Sequence, residues 1–340
     1  MAITLAHRRH TPPGRLSRRT SLLLVGGLIF FAVTIRLVSP GRVAWVQAAL
    51  IVFGSLVIQA LPFVLVGAFA AAVIEVFVPP NTLEKLVDLP RPLQLPAAGL
   101  AGLAFPICEC GSVPVARRLI HKGLLPSAAM TFMLAAPVLN PVVIASTVVA
   151  YRGRGPLWTM VIGRFTLGLL VAIAVGWVLG GRSDNLLKRS DSAEEHDHQV
   201  VEFGHPEPRW RTFFVHLGND FLYMGRFLLL GAAFAAVVQT FLPQSILESI
   251  ASVPVVDIIV MMALAFILSL CSESDAFIAA SFTQFGPGSQ LAFLVFGPMI
   301  DFKLGAIYAG TFQRSVLRTL LVTIAATTLA GALWVSVIFG

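Results

Sequence analysis

The run ALPFVLVGAFAAAVIEVFVP, residues 60–79, carries a single charged side chain, Glu75, in its whole length. A helix needs about 20 apolar residues, at about 1.5 Å each, to cross the roughly 30 Å of a bilayer's hydrocarbon core. The stretch around it, 43–78, is therefore predicted to span a membrane. Apolar stretches recur at 95–107, 124–151, 157–179, 213–242, 255–270, 289–312 and 317–339. Over 340 residues the chain is 57% hydrophobic and only 12% charged, about half the charge of an ordinary soluble domain. Too little polar surface remains to cover a water-soluble fold, which excludes a soluble enzyme. The net charge of +7 lies between apolar runs, with no aromatic-interleaved basic face. It sets topology, and nucleic acid is not an expected partner. The predicted fold class is an all-α polytopic integral membrane protein.

The same run aligns without gaps on MGRFLLLGAAFAAVVQTFLP, residues 224–243. Identical residues include the pairs Phe63/Phe227, Gly67/Gly231, Phe77/Phe241 and Pro79/Pro243. Further along, 110–141 aligns on 271–302, where Cys110/Cys271, Pro126/Pro287, Phe132/Phe293 and Pro137/Pro298 coincide and Asn140 falls on Asp301. An internal duplication is the expectation. It divides the chain into a basic cytoplasmic N-terminus (1–20), a first transmembrane helix (21–38), membrane repeat 1 (43–180), a charged solvent-exposed connector (181–211) and membrane repeat 2 (212–340). The first helix resembles a signal peptide but lacks a small-x-small cleavage pattern, so it is read as uncleaved.

Seven to nine transmembrane segments follow, depending on whether 95–122 crosses or re-enters. Re-entry in both copies leaves only Arg42, Arg152 and Arg154 on the outer side, once the in-span cations Arg36, Arg164, Arg226 and Lys303 are set aside. The positive-inside rule favours that arrangement, with the N-terminus in the cytoplasm and the halves inverted. Nine full spans is the alternative.

Duplicated carriers bind solute near mid-membrane, where interrupted segments of the two halves meet. Here the interruptions read FPICECGSVP (105–114), AAPVLNP (135–141), LSLCSESDA (268–276) and FGPMIDF (296–302). Gly111, Pro114, Pro137, Pro141 and Pro298 are the expected helix-breaking residues. All three cysteines, Cys108, Cys110 and Cys271, fall in these interruptions. Thiolates select soft, thiophilic centres, so the three are candidates for contact with solute; close packing at the breaks is the competing reading. Ser112, Ser272 and Ser274 stand where half-helices would begin, as caps or as solute contacts, and Asn140 would coordinate solute or hold its break open. Glu109, Glu273, Asp275 and Asp301 are the candidate proton carriers, because intramembrane carboxylates usually serve ions or protons. Glu273 and Asp275 lead. The competing reading is a structural bond to a freed amide, to Lys303 or to Arg226, and a local Asp301–Lys303 pair is plausible from the spacing. Arg117, Arg118, His121 and Lys122 read as topology-setting charge. The HDHQ run (196–199), with Glu194, Glu195 and His205 nearby, reads as part of a solvated linker.

At FPICECGSVPVARRL (105–119), LNPVV (139–143) and LCSESDAF (270–277) the chain resembles the bacterial permease family of domain of unknown function 318, which includes methylarsenite-efflux permeases. The likeness covers roughly 45–335. It implies a plasma-membrane permease in which Cys108, Cys110 and Cys271 would be ligands for trivalent arsenic.

The function expected from all of this is a secondary transporter, an exporter rather than an enzyme. It would move a small thiophilic or anionic solute, a trivalent arsenical being one such solute. The chain has no G-x-x-x-x-G-K-[ST] loop, so proton exchange is the expected energy source. No cofactor, resident metal or nucleic acid is expected; the partners are the solute and the bilayer. The alternatives are a membrane thiol oxidoreductase using Cys108 and Cys110, or a channel or subunit of a larger membrane complex.

Overall fold

A computed structural model describes residues 44–77, 90–104, 107–180, 209–241 and 255–339. The first transmembrane helix (21–38), the HDHQ run and most of the connector lie outside the described residues. No β-strand occurs among those described, and those from 49 onward belong to one compact unit.

The first half contributes α1 (Ala44–Phe77), α2 (Arg91–Ala101), α3 (Glu109–His121), α4 (Pro126–Leu139), α5 (Pro141–Ala150) and α6 (Leu157–Leu179). The second contributes α7 (Arg209–Phe241), α8 (Val256–Leu268), α9 (Asp275–Ser281), α10 (Pro287–Met299), α11 (Phe302–Thr311) and α12 (Arg314–Phe339). Helix α7 begins inside the expected connector, at Arg209.

Helix starts follow local chemistry. Pro126, Pro141 and Pro287 each open a helix, where a missing N–H costs nothing and the fixed φ is already helical. Asn140 caps α5 by accepting from the Val142 amide at 2.9 Å. Asp301 caps α11 by accepting from the Leu304 amide at 2.7 Å. These two residues, aligned in the sequence, hold the bends between α4 and α5 and between α10 and α11.

The expected helix-breaking residues lie close to the breaks without forming all of them. Gly111 and Pro114 sit inside α3; the interruption is upstream, where Ile107 and Cys108 are non-helical. Pro137 and Pro298 lie in the last turns of α4 and α10. There each removes one donor from a helix that the following cap residue ends, so the bend forms after the proline, at Asn140 and Asp301.

Six stretches are long and apolar enough to cross a membrane among the described residues: 46–77, 126–150, 157–179, 210–237, 287–311 and 314–339. Two of them, 126–150 and 287–311, are the broken pairs α4–α5 and α10–α11. With at most 13 residues each, α2, α3, α8 and α9 are too short to span about 30 Å.

Helices α4 and α10 are the core. Every residue of α4 after Pro126 is buried, and so is all of α10 from Gly288 onward except Gly297. Helix α4 packs on α2, α3 and α6, α10 packs on α8 and α12, and α6 meets α12 across the halves. The outward faces of α1, α6 and α12 show Ile51, Ile58, Trp158, Leu170, Trp177, Val322 and Trp334. Such a surface is stable only against lipid.

Matched glycines bring the long helices onto the breaks. A Cβ on Gly67 would run into the Cα of Gly111, and one on Gly111 would stand 2.8 Å from the Cα of Gly67. Helix α1 thus touches the first turn of α3 backbone to backbone. A Cβ on Gly231 would strike the Lys303 side chain. There α7 makes room for a lysine stem at the start of α11.

Candidate polar site where the helix breaks meet

Three of the four broken segments, those holding Glu109, Ser272 and Asp301, meet through charged side chains. Glu109, the first residue of α3, accepts through Oε2 from the Ser272 hydroxyl at 3.1 Å. Its Oε1 lies 3.5 Å from Lys303 Nζ. Glu109 follows Cys108 and Ser272 follows Cys271, so the residues next to two cysteines, one from each half, are in contact. Cys108 is the N-cap position of α3 in extended conformation; Cys271 opens the turn before α9. Both thiols are buried and neither is in a disulfide, and both lie within one contiguous cluster of buried apolar side chains. Cys110 is the second residue of α3, and its side chain lies outside the described residues.

Beside this contact stands a second one. Arg164, fully buried on α6, donates to both oxygens of Asp275, at 2.9 and 2.7 Å. It also donates to the Thr147 hydroxyl at 3.0 Å and the Ser272 carbonyl at 3.2 Å. Distances of 2.7–2.9 Å on both arms mark a committed bidentate pair. It fastens α6 and α5 of the first half to the break of the second.

Asp301 forms the expected local pair, its Oδ2 lying 3.4 Å from Lys303 Nζ. Lys303 is buried and stands between Glu109 and Asp301. Both oxygens of Glu273 are buried without a hydrogen-bond partner, in Coulombic range of Glu109, Asp275 and Arg164. Asn140 is fully buried too, and its Nδ2 has no partner.

The serines depart from expectation: none of them caps a helix. Ser112 donates to the Glu109 carbonyl at 2.9 Å, Ser274 donates to the Cys271 carbonyl at 3.1 Å, and Ser272 serves Glu109. Ser274 stands at the N-cap position of α9 but accepts no amide there, and the hydroxyls of Ser112 and Ser274 donate back to carbonyls of their own turns. Asn140 and Asp301 do the capping instead.

Arg118 and Lys122 also turn out to be buried partners rather than solvated charge. Arg118 lies 3.2 Å from Glu75 and 3.6 Å from Asp220, with His216 Nδ1 at 3.3 Å. Lys122 donates to the Glu75 carbonyl at 2.9 Å. This second cluster joins α1, α3 and α7. No group of three or more His, Cys, Asp or Glu side chains placed to hold a metal ion occurs among the described residues.

The sequence reading gave Arg164 and Thr147 no role, and it offered Lys303 as a partner for the carboxylates without singling out Glu109. The available signal was Arg164 itself: a lone arginine inside a 23-residue apolar helix needs a buried counter-charge. Which carboxylate supplied it could not be read from spacing, because Asp275 is 111 residues away.

Comparison with known proteins finds a matching family and similar chains. Residues 46–337 match the model of a family described as "Predicted permease". The chain is 38% identical over 286 residues to "UPF0718 protein YcgR" of Bacillus subtilis, covering 84% of this chain and 95% of that one. It is 36% identical over 261 residues to a Streptococcus mutans protein named "Putative two-component membrane permease complex subunit", covering 76% and 85%. No solved structure matches.

Proposed function

Since the chain belongs to this predicted permease family, matched over residues 46–337, we propose that it is a secondary carrier exporting a small thiophilic solute in exchange for protons. The observation that carries the reading is the 3.1 Å contact between Glu109 and Ser272. It sets the neighbours of Cys108 and Cys271 side by side, so that thiols and carboxylates of both halves share one region.

Soft sulfur ligands suit a trivalent arsenical, with Cys108, Cys110 and Cys271 as candidate ligands. The charge balance favours such a solute over an anion. Among the described side chains, Glu109, Glu273, Asp275 and Asp301 face Arg164 and Lys303, a sum of 2 − 4 = −2 with every group ionised. Glu273 is the proposed proton carrier, since a buried carboxylate with no donor calls for a proton or a cation as its partner. The orphaned Asn140 amide is a further solute contact. Ser112, Ser272 and Ser274 contribute through the bonds already described.

Duplication and inversion of the halves belong to the same proposal. The two sets of six helices run in the same order, and Asn140 and Asp301 cap corresponding bends. With an odd number of long segments in each set, the halves would insert in opposite senses. Arginine-rich residues 1–20 favour a cytoplasmic N-terminus in the plasma membrane.

The test is flux of methylarsenite in proteoliposomes carrying the purified chain. Wild type is expected to transport it and Cys271→Ser to lose transport while still inserting. Transport by Cys271→Ser at the wild-type rate would refute thiol ligation. A subunit role, after the name of the Streptococcus mutans relative, predicts no flux until a second protein is added.

A further inference from the structure

Lys303 differs from the other buried cation of the site in how it is held. Arg164 grips Asp275 at 2.7 and 2.9 Å, the range of a committed charge-assisted pair. Lys303 Nζ donates to Glu109 at 3.5 Å and stands 3.4 Å from Asp301 Oδ2, which has no hydrogen-bond donor; both distances lie beyond that range. Its two carboxylates belong to different halves of the chain. Glu109 opens α3 beside Cys108, while Asp301 caps α11 through Leu304. The Lys303 amide also donates to the Ser269 hydroxyl at 3.4 Å, two residues before Cys271.

We propose that Lys303 is the coupling residue of the carrier: it is shared between Glu109 and Asp301, and it passes to Asp301 when Glu109 is neutralised or engaged by solute. The transfer carries the state of the first half's break to the cap of α11 in the second half. This rests on the carrier reading above and extends it by naming the residue that links the halves.

The electrostatics supports a shared position. A lone lysine between two like charges in a medium of low polarity is drawn to both, and removing one attraction leaves the other unopposed. Glu109 is the member with alternatives, because Ser272 already donates to it and Glu273 lies in its field. Asp301 is fixed by its cap bond. On the side of α7 the lysine stem fills the space left by the missing Cβ of Gly231, so the Nζ end is the part that changes partner.

The test is a double-mutant cycle read by hydrogen exchange of the α11 amides (302–311) in the purified full chain at fixed pH, with no solute present. Glu109→Gln imitates the neutralised carboxyl. With Lys303 in place it is expected to change α11 exchange by about fivefold or more, the scale of a coupling between residues that share a network. In the Lys303→Gln background the same change should be less than about twofold.

An equal effect of Glu109→Gln with and without Lys303 would overturn the proposal. Should the single Lys303→Gln variant fail to fold, Asp301→Asn supplies the second arm: asparagine keeps an oxygen for the Leu304 amide but offers the lysine no charge, so Glu109→Gln should then change α11 exchange by less than about twofold. A full response in the Asp301→Asn background also overturns the proposal. Exchange is measured without solute, so loss of methylarsenite flux in wild type would sink the carrier reading and leave this result standing by itself.

Discussion

Replacing Arg164 by methionine is expected to unfasten the two halves at a cost that can be worked from its four hydrogen bonds. Both partners of the pair are buried: the Arg164 side chain is 0% exposed and that of Asp275 4%. Breaking a buried pair by deleting one partner costs roughly 3–5 kcal/mol, because the remaining charge is left without compensation. The Ser272 carbonyl also loses its donor, at about 1 kcal/mol or more. Arg164→Met should therefore destabilise by roughly 5 kcal/mol, and at about 2–4 °C per kcal/mol the melting temperature should fall by on the order of 10 °C.

The assay is thermal melting of detergent-purified protein followed by the monodisperse fraction on size exclusion. The decisive comparison adds Asp275→Leu. With both charges removed, the site holds neither an orphaned carboxylate nor an orphaned guanidinium, and much of the loss should return. Arg164→Lys should fall between the two, keeping the charge without the fork. An Arg164→Met protein melting within about 2 °C of wild type, or a double variant no more stable than the single, would refute the buried clamp.

Gly67→Ala is expected to destabilise strongly, since its Cβ would meet the Gly111 backbone and overpacking against backbone costs about 1–3 kcal/mol or more. Gly54→Ala, with nothing within 4 Å of its Cβ, should melt like wild type or slightly higher. Glu273→Gln should fold at least as well as wild type, because the carboxylate it replaces has no hydrogen-bond partner to lose. The same variant should lose the pH dependence of methylarsenite uptake into inverted vesicles; unchanged pH dependence would exclude Glu273 as the proton carrier.

Apolar length and helix punctuation were legible in the linear chain. A bilayer imposes one requirement on every spanning segment, about 20 apolar residues with all backbone bonds satisfied within it. That requirement acts locally, so runs such as 124–151 and 317–339 announced their helices, and Asn140 was read as able to hold its break open, whereas the matching cap at Asp301 was not read. The clustering of Cys108, Cys110 and Cys271 in interruptions was equally visible. Pairing of charge was not. Arg164 with Asp275, Lys303 with Glu109 and Arg118 with Glu75 join residues 111, 194 and 43 apart. Periodicity has no bearing on such pairs.

The serines show the same division. A hydroxyl near a helix start reads as a cap, yet whether it caps or bonds back to a carbonyl depends on the rotamer that packing allows. The existence of the long apolar helices was therefore settled by one-dimensional rules of solvation, though not each of their ends. Which cation faces which carboxylate, and that one lysine is shared between two, was settled only when α3, α6, α9 and α11 came together. In a buried environment a charge is stabilised by the partner within about 4 Å, and chain proximity does not decide which partner that is.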